Sequence, residues 1–188
     1  MSPELDIAAN RGAAKYTPGE WVKRIAWAAG SLAFVLTPGP LYGCRSMLLG
    51  LFGARVGRHV RVARTAKIQF PWNLDIGEWS SIGEEARIYN LGPIAIGRKA
   101  TISQGAHLCA GTHDVADLAM RLLRPAIRIG DQAWVCADAF VGPGVTVGEG
   151  AVVGARAVAV RDVPPWTVAV GNPARVVKER RLAPNAEA

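Results

Sequence analysis

Residues 135–163 read VCADAF VGPGVT VGEGAV VGARAV AVRDV, a run in which the same kinds of residue recur every six positions. Each hexad opens on an aliphatic side chain: Val135, Val141, Val147, Val153 and Ala159. The second place holds Cys136, Gly142, Gly148, Gly154 and Val160, and the fifth holds Ala139, Val145, Ala151, Ala157 and Val163. Ile129-Gly130 with Ala133 precede them in phase. Upstream, further runs pass through Ile96-Gly97, Ile102 and Leu108, through Ile76-Gly77, Ile82-Gly83 and Ile88, and through Val56-Gly57, Val62, Ile68 and Leu74. The phase slips by two at Leu74/Ile76 and again at Ile94/Ile96, which reads as small bulges. A period of six matches neither the roughly 3.6 of a helix nor the 2 of an alternating strand. It fits an all-β solenoid of short strands and tight turns, three hexads to a triangular coil. The opening residue then points inward and stacks on its counterpart one coil away. The fifth residue faces the same crowded interior. The second is small because the chain turns a corner there, where glycine permits backbone angles that other residues avoid.

The rest of the chain sets limits on this picture. At 188 residues it can bury a sizeable core, and half its residues are apolar, which excludes disordered and collagen-like classes. The net charge of +7 favours acidic partners in general without choosing among them. The basic residues are scattered among the repeats and no nucleic-acid-binding motif is present, so nucleic acid is not expected. Cys44, Cys109 and Cys136 are odd in number and far apart, which argues for a reducing compartment over a disulfide framework. The opening MSPELDIAAN lacks the layout of a secretory signal, so a cytoplasmic location is expected.

Residues 1–54 form a region of different character, ahead of a solenoid over 55–177 and a basic tail over 178–188. Two apolar segments, Trp21–Leu36 and Leu41–Phe52, are split by Thr37-Pro38-Gly39-Pro40 and read as two short helices. Two readings stand, and both can hold. One is a helical cap packed on the solenoid. The other is a hairpin over residues 20–52 lying in a membrane interface, with Trp, Lys and Arg at the headgroup level, including Arg45.

The repeats together with five local stretches resemble the hexapeptide-repeat acetyltransferases, which have a left-handed parallel β-helix. The stretches are Phe70-Pro71-Trp72-Asn73-Leu74, Ile88 to Pro93, Ile102 to Ala106, Leu108 to Asp114, and Val163 to Ala174. The likeness is to the maltose, galactoside and Nod-factor O-acetyltransferase type, and within it to the colanic acid biosynthesis acetyltransferases. It implies the left hand, a homotrimer with active sites between subunits, and acetyl-CoA as donor.

The repeat is interrupted once at length, over residues 114–124, just after His113. An insertion in a solenoid leaves the body as a loop, commonly on a binding face. Acyl transfer to a hydroxyl needs a base near working pH, and imidazole meets that need. The resemblance gives this role to His113; read alone, His113 is a capped residue at a coil edge. Asn90 falls at the family's asparagine near the base and is implied as a substrate ligand, against a bland reading as a ladder or turn residue. Asp114 either contacts the sugar or orients the base, or simply starts the loop. His59 and His107 read as exposed edge residues. The three histidines do not converge as a zinc site requires, so no metal is expected. Cys109 and Cys136 sit where packing explains them better than nucleophilic chemistry. For the cofactor, the resemblance implies small side chains and cations on the late coils: Ala137, Ala155, Val160, Arg161, Arg175 and Lys178. The family often has Thr-Lys where Val160-Arg161 stand, which loses a hydroxyl and keeps a cation that can meet phosphate. Trp134 either flanks the acyl site or is a packed aromatic. The expected activity is acetyl transfer to a hydroxyl of a saccharide or lipid-linked saccharide in cell-surface polysaccharide biosynthesis. An acyl transferase acting on an amine and a non-catalytic scaffold at a membrane surface are the alternatives.

Overall fold

The structure, a computed structural model, describes residues 4–183. From Arg55 the chain winds as a three-faced parallel β-helix of about six coils. The first coil supplies β1 (Arg55–Val56), β2 (Arg61–Val62) and β3 (Lys67–Ile68), and the second β4 (Leu74–Ile76), β5 (Ser81–Ile82) and β6 (Arg87–Tyr89). The third supplies β7 (Ile94–Ile96), β8 (Thr101–Ile102) and β9 (His107–Cys109). There the chain leaves as a hairpin of β10 (Thr112–His113) and β11 (Leu122–Leu123). It returns as β12 (Ile127–Ile129), β13 (Trp134–Val135) and β14 (Phe140–Val141), then β15 (Thr146–Val147), β16 (Val152–Val153) and β17 (Val158–Ala159). A last partial coil bears β18 (Thr167–Val170), on which β19 (Arg175–Glu179) folds back antiparallel.

The inward stack follows the hexads. Val135, Val141, Val147 and Val153 are fully buried, Ala159 nearly so, and the fifth-place residues are buried as well. Each fully buried valine or isoleucine contributes roughly 1.5–3 kcal/mol of hydrophobic stabilisation. Later coils advance 18 residues, as Val135 to Val153 shows. The early coils advance 20, as Val62 to Ile82 and Ile88 to Leu108 show. The two-residue slips are therefore not bulges. Leu74 and Ile76 lie in one strand with both side chains buried, in continuous parallel register with Ile94 and Ile96.

The hexad glycines also work differently from the expectation. Gly57, Gly77, Gly97, Gly130 and Gly148 have no positive φ. A Cβ on any of them would lie 2.5–2.6 Å from an atom of the next coil, so close approach excludes a side chain there. The left-handed conformation falls at the fourth place instead. Gly105, Gly144 and Gly150 adopt it, and so do His59, Trp79, Glu85, Lys99, Gln132, Asp138, Arg156 and Trp166, with φ of 54–63°. Each non-glycine there costs about 1–2 kcal/mol. Backbone bonds between coils repeat at these turns, such as Gln132 N–H to Arg98 O (2.8 Å) and Arg156 N–H to Ala137 O (2.9 Å), and they offset that cost.

Three helices precede the solenoid: α1 (Ile7–Gly12), α2 (Pro18–Leu36) and α3 (Tyr42–Leu51). A capping box starts α2: Thr17 Oγ1 accepts from Glu20 N–H and Glu20 accepts from Thr17 N–H, with Pro18 in the first turn. One stripe of α2, Trp27, Gly30 and Phe34, is buried, and the Trp27 indole donates to Ile68 O (2.8 Å). The opposite stripe, Val22, Ile25, Leu32 and Leu36, is exposed. Arg45 is not at the surface as the hairpin reading expects. It is fully buried and donates to Val62 O (2.7 Å), Pro38 O (2.8 Å) and Gly39 O (2.6 Å). It thus ties the Pro-Gly-Pro break to the first coil. The basic tail is also partly structured: Lys178 lies in β19 opposite Val168, and Arg180 donates to Gln132 O (2.8 Å) and Gly150 O (2.9 Å). Residues 184–188 of that tail lie outside the described residues.

Replacing Arg45 by methionine keeps bulk but leaves buried carbonyls without a donor. A loss of about 3 kcal/mol is expected in urea unfolding at matched protein concentration, with lysine restoring only part of it. A change under about 1 kcal/mol would remove Arg45 as the link between cap and solenoid.

Candidate active site

The chain leaves the third coil at the corner that follows β9. Gly111 makes the exit feasible, because a Cβ there would come within 2.8 Å of the Tyr89 ring and 3.0 Å of Leu91. Two residues later His113 pairs with Leu122 across the hairpin. Its ring is partly buried, and Nδ1 lies 2.5 Å from Met120 O. A carbonyl only accepts, so Nδ1 carries the hydrogen and the neutral ring keeps its lone pair on Nε2. That is the form a general base requires.

Asp114 does not orient this ring. Its carboxylate accepts from Ala116 N–H (3.1 Å) and from the Arg121 guanidinium (3.2 Å), and its own N–H donates to Arg121 O (2.8 Å). It closes the base of the hairpin. Asn90 is fully buried: its Oδ1 accepts from Phe70 N–H (2.9 Å) and its Nδ2 donates to Phe70 O (2.5 Å). It joins two successive corners inside the wall, which is the ladder role and not that of a substrate ligand. His107 is half-buried in β9 with its ring edge-on to Phe140 (5.3 Å), so it is not an exposed edge residue. Burial, helped by Arg87, pushes its pKa down. His59 is exposed and stacks on Trp79 at 4.1 Å. Burial raises the Cys136 thiol, and Cys109 Sγ sits 3.4 Å from Gly111 O.

The expected cofactor residues fall on separate edges of one chain. Ala137 and Ala155 stack at the corner between the β13/β16 face and the β14/β17 face. Val160 and Arg161 follow β17 at the next corner, which is the corner from which the His113 hairpin leaves two coils earlier. Trp134 is 45% exposed on the β13 face and donates to Ser103 Oγ (2.9 Å). Arg175 and Lys178 are exposed on β19. Among the described residues, no three or more His, Cys, Asp or Glu side chains are grouped to hold a metal ion.

The sequence reading missed the N-terminal contribution to this region. The segment carrying α1 lies against the hairpin, with Asp6 N–H donating to Leu118 O (2.8 Å). A cleft of about 450 Å³ between them is lined by Asn10, Lys15, Asp117, Arg121 and Arg124, among others. Arg124 pairs with Glu20 (2.8 Å) and also donates to Lys15 O. Arg24 lies over Tyr16 (3.9 Å) and Trp21 (4.6 Å). Residues a hundred positions apart meet here, and no local pattern announces it.

No family model matches the chain. Over 154 residues it is 42% identical to the Escherichia coli K12 protein named "Putative colanic acid biosynthesis acetyltransferase WcaF", covering 82% of this chain and 85% of that one. Among solved structures, a maltose O-acetyltransferase from Clostridium difficile 630 aligns with a TM-score of 0.80 at 25% identity, over 88% of this chain and 90% of the other. A galactoside acetyltransferase in complex with coenzyme A aligns with a TM-score of 0.82 at 25% identity, over 93% and 89%. With a relative this similar over more than four fifths of its length, the chain belongs to the hexapeptide-repeat acetyltransferases and is an acyl-transferring enzyme.

Proposed function

We propose that the protein transfers an acetyl group from acetyl-CoA to a saccharide hydroxyl, on a polysaccharide repeat unit or its lipid-linked precursor, in cell-surface polysaccharide biosynthesis. The observation that carries this reading is the His113 ring, held at Nδ1 by Met120 O with no hydrogen-bond partner on Nε2 among the described residues, on the one long insertion of the solenoid. The acceptor hydroxyl gives its proton to Nε2 while its oxygen attacks the thioester carbonyl carbon. The tetrahedral intermediate collapses, the C–S bond breaks, and the imidazolium returns the proton to the leaving thiolate. A backbone N–H supports the oxyanion. The cleft that Lys15, Asp117 and Arg121 line is a place for a sugar seated against the hairpin.

The donor lies in a groove that one chain does not complete. One protomer offers the His113 corner with Val160 and Arg161; a neighbour offers the Ala137 and Ala155 corner. A homotrimer supplies that groove three times. The small side chains let the pantetheine arm approach the backbone, and Arg161, Arg175 and Lys178 meet its phosphates. Trp134 flanks the acyl end.

The enzyme works in the cytoplasm and rests on the inner face of the membrane. No described helix is long and apolar enough to cross a bilayer. The exposed stripe of α2 has Lys23 within the same helix turn as Val22 and Ile25, and Arg61 lies over the Tyr42 ring of α3 (5.6 Å). An apolar strip with cations beside it matches an anionic lipid surface.

His113→Ala should trimerise normally by light scattering and lose thiol release by about 100-fold or more, while Cys109→Ala keeps it. Near-normal turnover in His113→Ala would remove the base assignment. A panel of sugars, amino sugars and amines in the same assay separates oxygen from nitrogen acceptors. Loss in Cys109→Ala alone would instead point to an acyl-enzyme.

For the lipid contact, the wild type should float with phosphatidylcholine vesicles containing phosphatidylglycerol. Val22→Glu/Ile25→Glu/Leu32→Glu should not float, while keeping turnover on a soluble acceptor. Equal flotation of both proteins, or of neither, would sink the membrane contact.

A further inference from the structure

The hairpin that carries His113 is fastened by a side chain from outside the solenoid. Asn10, in α1, donates through Nδ2 to Ala119 O (2.6 Å) and to Met120 O (3.0 Å). Met120 O is the same oxygen that accepts from His113 Nδ1 (2.5 Å). With the Asp6 N–H on Leu118 O, three consecutive carbonyls of the hairpin are held from the N-terminal segment. Lys15 Nζ lies 3.2 Å from Asn10 Oδ1, which fixes the amide with its nitrogen toward the hairpin.

The backbone of Met120 shows why such a fastening matters. Its φ is +48°, and among the described residues every other non-glycine with positive φ stands at the fourth place of a hexad. Those turns are clamped by the coil above or below. Met120 stands outside the coils. Its own N–H bonds Asp117 O (2.8 Å), and its carbonyl is oriented by the turn and by Asn10. A left-handed residue persists only where its surroundings over-determine it.

We propose that Asn10 is a positioning residue for acyl transfer: by fixing Met120 O it holds His113 in the Nδ1–H tautomer and keeps Nε2 free to take the acceptor's proton. The inference rests on the reading of His113 as the base. A neutral imidazole carries its hydrogen on either nitrogen, and the partner of one nitrogen decides which. In this role Asn10 acts through Met120 O and not on the reacting atoms.

The test compares the trimer carrying Asn10→Ala, or Asn10→Asp, which keeps the shape and removes the donor, with the wild type. Both variants should melt like the wild type and lose about tenfold in kcat, with KM for acetyl-CoA within about twofold, the scale of outer-sphere support for a histidine. The ¹⁵N shifts of the His113 ring, assigned against His113→Gln, should show Nδ1–H in the wild type and movement toward Nε2–H in both variants. Unchanged kcat, or a wild-type tautomer in Asn10→Ala, overturns the proposal. Retained turnover in His113→Ala would sink the base reading alone, because the ring shifts report the Asn10 link without reference to activity.

Discussion

Neighbouring coils are one strand spacing apart, about 4.8 Å, and they are joined by backbone hydrogen bonds on three faces. Side chains on the faces point in or out and stack on those of the next coil, clear of its backbone. At the corner that follows β1, β4, β7, β12 and β15 the backbone itself turns against the backbone of the next coil, and there the spacing leaves no room. That is why a Cβ on Gly57, Gly77, Gly97, Gly130 or Gly148 would strike the adjacent coil. At two of the three corners the fourth place adopts a left-handed turn with residues as unlike as His59, Glu85 and Trp166, Thr65 excepted. Eight different non-glycine positions accept that strain because the coil above or below holds the turn in register. The same spacing forbids a long segment from staying inside the wall. Between Ile94 and Ile127, which pair directly, the extra length must leave the body.

A segment expelled in this way loses the support of the coils and must find it elsewhere. The N-terminal region supplies it. Trp27 and Arg45 fasten the helices to the first coil at Ile68 and Val62, while α1 and residues 15–20 reach the hairpin and its exit near Arg124. The helices therefore link the start of the solenoid to the third coil. The charges at the exit are used for this link: the Glu20 carboxyl is drawn below its ordinary value, first by its capping bond to Thr17 and then by Arg124.

Much of the fold was legible because period, size and apolarity at Val135–Val163 are properties of the residues themselves. The second place reads correctly as a small residue at a corner, but close approach and not backbone angle excludes a Cβ there, and a single sequence does not show how close the next coil comes. The left-handed fourth place was invisible, because His59, Trp79, Glu85, Lys99 and Arg156 share no chemistry; they share a position. Arg45 looked like a headgroup cation because its carbonyl partners lie at a Pro-Gly break that the sequence marks only as an interruption. Asn90 was found by its motif and assigned outward, yet both ends of its amide turn back to Phe70. Asn10 could not be read at all: it sits in a helix of six residues and bonds a loop 109 and 110 positions away.

The partner of His113 Nδ1 also bears on the chemistry. The sequence offered Asp114 as the orienting group, and a carboxylate would have fixed the same tautomer. It would also have favoured imidazolium by direct charge attraction. In the transfer we propose, the ring takes a proton from the acceptor and returns it to a thiolate within one turnover, so a strongly stabilised cation helps the first step and hinders the second. A carbonyl settles the tautomer through its dipole with less bias toward the charged form. Asp114 is diverted to Arg121 and Ala116, and the backbone of Met120 takes its place. The left-handed turn at Met120 is what aims that carbonyl at the ring, so the strain in the hairpin and the tautomer of His113 are parts of one arrangement.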